Sequence, residues 1–374
     1  MPWKEETIMS KKVHFIERVL KGSHPFSEIC KDFNISRTTG YNILNGYHLS
    51  GWESLKPQSK APHNSPMKTS EWVEEEVIKV RIKYPTWGPR KIHTYLADQH
   101  FKNLPSITTI AAILKRRGYV TLEESKKRQK LITFEREFPN DLWQIDFKGK
   151  FQLQTKETCY PLTILDDYSR FSLDIRSCPN ERHNTVFKHL NTVFHEYGLP
   201  NQINFDNGNP WGNSRLFQHT QLTVWLMKLG IKVTHSRPKH PQTNGKIERF
   251  HRTLKKDVLS RNNISDFSHA QKLFDDWRKI YNYERPHEAI GMLVPAKRYR
   301  PSNTLMPNKI PPIEYNSDAL VFKVRANGYV NYRGKEYHVG RGFNGLLVEI
   351  KPEEAFGLVR IYLGKNKIYT YNIE

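Results

Sequence analysis

The amino-acid sequence predicts a multidomain α+β protein with two small helical units, a mixed α/β core and a small all-β unit, in that order. Three observations support this prediction. Apolar residues recur at helical spacing before residue 117, alternate with polar residues from Leu142 onward, and form short runs between Gly-containing turns after residue 315. The length of 374 residues also exceeds that of a usual single domain.

The charge balance is strongly basic, with 59 Lys and Arg against 38 Asp and Glu, which gives a net charge of +21. Such an excess attracts phosphate backbones through its summed field, so nucleic acid is the expected partner. A merely soluble basic protein, or one that binds acidic membranes, has the same signature. No apolar run reaches bilayer-spanning length and no signal peptide opens the chain, so we expect a cytoplasmic, nucleoid-associated protein.

The first helical unit is predicted over residues 1–60 as a helix-turn-helix. Its apolar repeats fall in three groups: Val13, Ile16 and Leu20; Phe26, Ile29 and Phe33; Tyr41 and Leu44. Asn34 forms the turn and Ser36 caps the third helix. Any small three-helix domain shows a similar pattern, but in a DNA-binding one the groove-facing side chains are Arg37, Thr38, Thr39 and Asn42.

A polar, Pro-rich linker at 56–66 leads to a second helix-turn-helix, predicted over 67–137 together with a basic tail. Its first helix, Glu71–Lys83, stops before Tyr84-Pro85, as the restriction on the residue before proline requires. The second helix carries Ile92 and Leu96. Ser106 caps the third, which is expected to bury Ile107, Ile110 and Leu114 and to present to DNA Thr108, Thr109, Lys115 and Arg116.

The α/β domain is predicted over 138–300. Strands at 143–147, 160–166 and 170–176 form an antiparallel meander, and helices then alternate with strands at 202–205 and 231–234 before a helix that begins near Gly245. This order describes a ribonuclease-H-like α/β core. Residues 315–374 form short strands with Asn-Gly and Arg-Gly turns, which predicts a small SH3-like β-barrel.

Three acids are placed so that they can converge. Asp146 lies on the polar face of the first strand, Asp206 follows the fourth strand, and Glu248 lies in the helix that begins near Gly245. Clustered carboxylates supply the hard oxygen ligands that hold two Mg²⁺ or Mn²⁺ ions about 4 Å apart for phosphodiester chemistry. An isolated Glu248 would instead be read as an ion-pair partner of Arg252. The same helix is basic, and its expected DNA contacts are Lys246, Arg249, Arg252 and Lys255.

Several motifs together resemble the catalytic core of DDE insertion-sequence transposases of the retroviral-integrase superfamily. They are WQIDF at 143–147, DDYSR at 166–170, FDNGNPW at 205–211, HPQTNGKIERFHRTLK at 240–255, and YNYERPH at 281–287 followed by Pro295-Ala296. The resemblance implies that Asp146, Asp206 and Glu248 are the catalytic and metal-binding triad. It also implies cleavage at element ends, transfer of the 3′-hydroxyl into target DNA, and a dimer or larger complex. The 42 positions from Asp206 to Glu248 exceed the commonest family spacing, so 209–221 is expected to be a loop.

Other candidates are weaker. Asp166 and Asp167 are interpreted as turn-forming, or as residues that support the metal ligands. His235, His240 and His251 have no trusted ligand spacing, so DNA contact or packing is expected. The three cysteines show no disulfide or zinc pattern. The alternative functions are a nuclease of the same fold that only hydrolyses nucleic acid, and a non-catalytic DNA-binding protein derived from a transposase.

Overall fold

The computed structural model describes residues 8–56, 69–120, 136–206, 210–213, 218–235, 245–353 and 357–372. The chain divides into two compact units, Met1–Lys68 and Thr69–Glu374. Apart from Lys56, the predicted linker lies outside the described residues, as does most of the basic tail of the second unit. Among the helices within these ranges, none is both long and apolar enough to cross a bilayer.

The first compact unit is a bundle of three short helices, as predicted. They are α1 (Ile8–Lys21), α2 (Phe26–Asp32) and α3 (Arg37–Ser50), followed by a 3-10 turn at Gly51–Leu55. The buried core consists of Phe15, Ile16, Ile29, Cys30 and Leu55. Ser36 caps α3, because its hydroxyl accepts a hydrogen bond from the Thr39 amide at 3.1 Å.

Two residues of the apolar repeats that predicted these helices lie at the surface of the unit. Leu20 is 54% exposed, and Tyr41 is 51% exposed with its ring stacked on Phe26. The core-facing position is Gly40, which is buried and close to the Cys30 sulfur. Because the glycine packs inward, the neighbouring Tyr41 side chain is directed outward.

The second compact unit begins with helices α4 (Glu71–Lys83), α5 (Pro89–Asp98) and α6 (Ile107–Arg116). Ser106 caps α6, accepting from the Thr109 amide at 3.2 Å. Ile110 is buried as predicted, whereas Ile107 is 41% exposed and Ile113 is buried instead. The inward face of α6 is therefore centred on its second turn, and Ile107 lies at the edge of that face.

A mixed sheet follows. Its strands are β1 (Trp143–Phe147), β2 (Phe151–Gln152), β3 (Thr158–Asp166), β4 (Ser172–Cys178), β5 (Gln202–Phe205) and, after the short pair β6 (Gly212–Asn213) and β7 (Gln218–His219), β8 (Lys232–His235). The predicted antiparallel meander is present as β1, β3 and β4, and β5 and β8 extend the sheet in parallel beyond β1. The β6–β7 pair corrects the expectation that 209–221 is a plain loop.

Helices cover both faces of this sheet. Helices α7 (His183–Tyr197) and α8 (Gln221–Lys228) pack on one face, and α9 (Gly245–Leu254) and α10 (Phe267–Lys279) pack on the other. Helix α9 continues as a π-helical turn at Lys255–Leu259, and α10 continues as one at Ile280–Glu284. The strand order and the two helical layers fit the predicted ribonuclease-H-like core.

The α4–α6 bundle packs directly on this core. The Tyr84 hydroxyl donates a hydrogen bond to the carboxylate of Glu284, and Lys297 pairs with Asp98 at 3.4 Å. Ile280 packs against the apolar core of the bundle. The recognition-type helix α6 and the sheet therefore belong to one compact unit.

The C-terminal strands are β9 (Val321–Lys323), β10 (Tyr329–Tyr332), β11 (Lys335–His338), β12 (Leu347–Glu353), β13 (Leu358–Leu363) and β14 (Asn366–Asn372). The predicted barrel is not confirmed. Within the described ranges, the strands form an open sheet in the order β14-β13-β12-β9 and a separate β10–β11 hairpin. Strand β9 has three residues and forms its ladder with β12, so the described strands leave the sheet open between β9 and the hairpin. Val224 and Met227 of α8 join the core of this unit and attach it to the α/β domain.

Candidate active site

Asp146 and Asp206 lie at the same end of two neighbouring parallel strands. In the β1–β5 ladder Gln144 is level with Asn204, and each aspartate follows two residues later. Ligands of open α/β sheets gather where the carboxyl ends of parallel strands meet. The Asp146 side chain is 27% exposed and Asp206 is exposed, so both carboxylates are open to a ligand at this edge.

Helix α9 brings Glu248 to the same edge. Its apolar stripe is buried, with Ile247, Phe250 and Leu254 each no more than 1% exposed. Glu248 lies outside this stripe and is exposed. Because the stripe fixes the helix on the sheet, the face that carries Glu248 is turned toward the end of β1.

The other acids act on the ionisation of Asp146. Burial and, to a lesser extent, the charge of Asp206 raise the pKa of Asp146, and with smaller contributions from Glu181 and Glu248 the pKa reaches about 7. Asp206, Glu181 and Glu248 therefore lie within electrostatic range of Asp146, which defines an acidic cluster at this edge.

Glu181 is an acid of this cluster that the sequence analysis missed. It lies in the connection between β4 and α7 and is partly buried. It belongs to none of the motifs that identified the other acids. The signal available for Glu181 was its position shortly after β4. This strand pairs with β3, the neighbour of β1.

His251 links α9 to β1 one turn after Glu248. Its Nε2 is 2.7 Å from the Thr163 hydroxyl, which donates to the Asp146 carbonyl at 2.9 Å, and its Nδ1 is 3.8 Å from the Asp146 carboxylate. Burial and, to a lesser extent, the charge of Lys148 lower the pKa of His251 to about 3. His251 is therefore neutral near pH 7 and serves packing and hydrogen bonding, one of the two roles expected for it.

The other two histidines give less. His235 lies beside Asp206, with its Nδ1 3.3 Å from the Asp206 carbonyl oxygen. His240 lies outside the described residues. In the part of the chain that the structure describes, no group of three or more His, Cys, Asp or Glu side chains is arranged to hold a metal ion. All three cysteines are buried and unpaired.

The basic residues predicted on α9 divide into two classes. Arg249, Arg252 and Lys255 are exposed. Lys246 is not, since its side chain is 9% exposed and its ammonium group pairs with the Asp167 carboxylate. The turn after β3 lies over the start of α9 and takes up this cation, so a DNA contact by Lys246 is not supported.

Asp166 and Asp167 have different partners. Asp166 accepts hydrogen bonds from the Ser169 amide at 2.8 Å and the Asn140 amide at 2.7 Å, which stabilises the turn between β3 and β4. Asp167 contacts Lys246 on α9 instead. Asp166 is therefore turn-forming, one of the two interpretations offered for this pair, whereas support of the metal ligands by Asp167 stays a prediction.

The helices proposed to contact DNA present most of the predicted side chains. Arg37, Thr38, Thr39 and Asn42 are exposed on α3, and Thr108 and Lys115 are exposed on α6. Thr109 is partly buried. Arg116 is half exposed, but its guanidinium pairs with the carboxylate of Glu74, a buried residue of α4. Arg116 therefore has a structural partner within its own bundle.

Models of known families match several parts of the chain. An integrase core domain matches residues 136–241, and a second integrase core model matches 229–295. A helix-turn-helix domain matches 11–63, a homeodomain-like domain matches 39–114, and the IS481 family transposase C-terminal domain matches 319–372.

Relatives of known name include mobile-element proteins. An uncharacterized 39.2 kDa protein of insertion element IS476 from Xanthomonas euvesicatoria is 25% identical over 62% of this chain and 66% of its own length. The transposase for transposon Tn552 from Staphylococcus aureus is 23% identical over 88% of this chain and 75% of its own length. The chain thus spans just under two thirds of the IS476 protein.

Solved structures that match parts of this chain include integrases. The HTLV-2 integrase catalytic core domain in complex with magnesium matches 44% of this chain and 98% of its own, at 16% identity and a TM-score of 0.33. A chain of the simian T-cell lymphotropic virus intasome in complex with PP2A regulatory subunit B56 gamma matches 79% of this chain and 95% of its own, at 15% identity and a TM-score of 0.40.

Proposed function

We propose that the chain is an insertion-sequence transposase of the integrase-core superfamily, and that it cuts DNA at the ends of its element and joins them to target DNA. The observation that supports this proposal is that Asp146 and Asp206 follow the same ends of the paired strands β1 and β5, and that the charges of Asp206 and Glu248 both raise the pKa of Asp146. Helices α3 and α6 would recognise the element ends, since each presents exposed polar side chains beyond a capped first turn.

The proposed reaction has two phosphoryl-transfer steps. Water attacks a phosphorus atom at the element end, the bond from phosphorus to the 3′-oxygen breaks, and that oxygen leaves as a 3′-hydroxyl. The freed hydroxyl then attacks a target phosphorus, a new P–O bond forms, and the target 3′-oxygen departs with a proton. Both steps need the attacking and leaving oxygens held in line, which positioning and electrostatics supply.

The chemistry of the three acids suits two Mg²⁺ or Mn²⁺ ions, which would draw together side chains that are not arranged as a metal site in the part of the chain that the structure describes. Carboxylate oxygens are the ligands these hard cations prefer, and a bound cation would offset the two main effects that raise the pKa of Asp146, its burial and the charge of Asp206. Asp146, Asp206 and Glu248 would hold the ions, which polarise the phosphoryl oxygens and stabilise the charge on the attacking and leaving oxygens. Arg249, Arg252 and Lys255, exposed on the same helix, would bind DNA phosphates beside the acids.

Two copies at least are proposed to act together, because two element ends must reach one target in concert. A nuclease of the same fold would use the same acids with water as the final nucleophile. The helix-turn-helix units favour the transposase, since a general nuclease has no need to find a particular site. A DNA-binding protein without activity is disfavoured by the presence of all three acids.

The experiment starts with Asp146→Asn, Asp206→Asn and Glu248→Gln, each assayed for cleavage and strand transfer on DNA that carries the element ends. Each should lose at least about 100-fold in rate, because even groups that merely support metal ligands contribute about 10- to 100-fold. Binding of end DNA should persist. The matched control is Asp276→Asn on α10. The Asp276 side chain is 59% exposed and pairs with Lys279 on the same helix.

The same assay separates transposase from nuclease when the pre-cut end strand lacks its 3′-hydroxyl. Joining to a target plasmid with Mg²⁺ or Mn²⁺ should then vanish while binding remains. Wild-type joining in any one triad variant would remove that residue from the site. Efficient nicking without joining would replace the transposase by the nuclease.

A further inference from the structure

A buried polar network joins the start of α9 to β1 and to the turn after β3. The Gln144 amide group donates to the Asp167 carboxylate at 2.8 Å, and the Gln144 carbonyl oxygen accepts from the Ile247 amide at 3.2 Å. The Lys246 ammonium pairs with the second carboxylate oxygen of Asp167, which also accepts from the Arg136 amide at 3.2 Å.

These groups are buried, so each of them depends on hydrogen bonds or ion pairs within the network. Gln144 is 2% exposed, and the side chains of Asp167 and Lys246 are 5% and 9% exposed. A buried charge loses its hydration and is tolerated when it is paired and hydrogen-bonded. Removing one member therefore takes away one of the contacts that hold the others, and the arrangement resists small displacements of α9.

The network lies directly beside two of the proposed metal-binding acids. Gln144 and Asp146 are two residues apart on β1, so their side chains are on the same face of the strand. The α9 amide that Gln144 holds belongs to Ile247, the residue before Glu248. One turn later His251 contacts Thr163 and lies beside Asp146. Glu248 is thus flanked by two attachments of α9 to the sheet.

We propose that Gln144, Asp167 and Lys246 are positioning residues, which hold the first turn of α9 in register with β1 so that Glu248 and Asp146 can bind the same divalent cation. This inference rests on the proposed function, because it concerns how the metal-binding acids are oriented. None of the three residues needs to touch the cation. Asp167 acts through Lys246 and Gln144, and those two act through the backbone of α9.

The first arm of the test measures the attachment itself, independently of any metal. Gln144→Met in the full-length protein removes both hydrogen bonds but leaves the Asp167–Lys246 pair in place. Amide hydrogen exchange at 245–250 should accelerate about 2- to 10-fold, as expected for loss of one hydrogen bond, while exchange in α10 stays unchanged. The matched control is Arg176→Met, which removes the 2.8 Å partner of a buried aspartate, Asp174, on β4. Unchanged exchange at 245–250 in Gln144→Met overturns the inference.

The second arm measures binding of Mn²⁺ alone by electron paramagnetic resonance. Gln144→Met should weaken Mn²⁺ binding about 10-fold or more, the usual effect of losing a partner that orients a ligand. In the double variant with Glu248→Gln, Gln144→Met should weaken Mn²⁺ binding by less than about twofold beyond the effect of Glu248→Gln alone. The carboxylate that Gln144 orients is already absent in that background. Lys246→Met should behave like Gln144→Met, and Lys246→Arg, which keeps the cation, should bind Mn²⁺ within about threefold of wild type.

The outcomes distinguish the positioning role of Gln144 and Lys246 from the assignment of Glu248 as a metal ligand. If Glu248→Gln weakens Mn²⁺ binding and Gln144→Met and Lys246→Met do not, the positioning role is refuted and the proposed function stands. If Glu248→Gln binds Mn²⁺ as tightly as wild type, the metal assignment fails and the positioning role fails with it. Should Lys246→Met not fold, Gln144→Met decides, since it buries no unpaired charge.

Discussion

At the scale of single residues, burial decides which polar side chains are free to meet DNA. Lys246 and Arg116 have the same charge and the same basic surroundings in the sequence as Arg249 and Lys115. In the structure Lys246 pairs with Asp167, and Arg116 pairs with Glu74, whose side chain is 3% exposed. Such pairs hold the scaffold in place, whereas the exposed cations remain available for phosphates.

The sequence indicates the three acids more directly than the polar residues that attach α9 to β1. Asp146, Asp206 and Glu248 stand within short local motifs, so pattern alone selects them. Gln144 alternates with Trp143 and Ile145 on the polar face of β1, yet it is buried because α9 packs on that face. A contact between residues about 100 positions apart leaves no local signal, and the partners of Lys246 and Arg116 were missed for the same reason.

Two substitutions on α6 test the distinction between cations that pair within the fold and exposed cations that are available for phosphates. Lys115→Ala should weaken binding of end DNA and reduce the slope of log affinity against log salt by about 1, because one phosphate contact is lost. Arg116→Ala should instead destabilise the bundle by about 1 kcal/mol, a value kept low because half of the Arg116 side chain is solvated. Fluorescence anisotropy over a salt series and thermal unfolding measure the two effects. Equal changes of salt slope in both variants would contradict the assignment.

At the scale of elements, capping and proline signals predict boundaries well, and short strands escape prediction. Helix α4 and strand β5 have the predicted bounds, since Tyr84-Pro85 ends the helix and Asn207-Gly208 follows the strand. Strand β2 and the β6–β7 pair have two residues per strand, too few for an alternating pattern. Their pairing depends on where neighbouring strands lie, which the local sequence does not state.

Helix α3 offers an element-scale prediction from its two glycines. A Cβ on Gly40 would lie 2.7 Å from the Cys30 sulfur and 3.0 Å from the Phe26 ring, whereas one on Gly46 would meet Ser54 at an ordinary 3.5 Å. Gly40→Ala should therefore destabilise the first bundle by about 1–3 kcal/mol through overpacking. The control, Gly46→Ala, should stabilise α3 by up to about 1 kcal/mol through helix propensity. Amide hydrogen exchange of α3 in the full-length protein should show opposite shifts, and slower exchange in Gly40→Ala would refute the packing argument.

At the scale of the whole molecule, the packing of α4–α6 on the α/β core is the feature that sequence reasoning did not anticipate. The predicted domains followed one another along the chain, and nothing local in α4 or α5 shows that Tyr84 meets Glu284 or that Asp98 meets Lys297. The open C-terminal sheet has the same explanation. Strand composition predicts a small β-unit, but closure into a barrel depends on which strand edges find partners.

A partly buried lysine at this junction gives a prediction about pH. Burial and the charge of Arg285 lower the pKa of Lys91, Asp257 and Glu288 oppose them less, and the resulting pKa is about 7. Since the pKa is lower in the folded state than in the unfolded chain, folding is opposed by this group at pH 7 and below, and the penalty disappears as the pH rises toward 10.5. Lys91→Met should therefore raise the Tm at pH 7 by about 2 °C or more, with the gain shrinking toward pH 10.

Thermal melts between pH 6 and pH 10 measure this difference. The control is Arg90→Met, because Arg90 is the adjacent residue and its side chain is 68% exposed. It should change the Tm little at any pH. A gain for Lys91→Met that is the same at pH 10 as at pH 7 would show that the stability change does not come from the buried charge.

The attachment of α6 to the same unit as Asp146 has a consequence for the DNA. Where a recognition helix and a cleavage site belong to one compact unit, the protein fixes the distance between the bound sequence and the cleaved bond. Inserting a few base pairs between the α6 site and the element tip would then move the cut to a new phosphate by the same number of base pairs. A free tether would leave the cut at the tip. Loosening Tyr84 from Glu284 should blur the cleavage position while leaving the acids untouched.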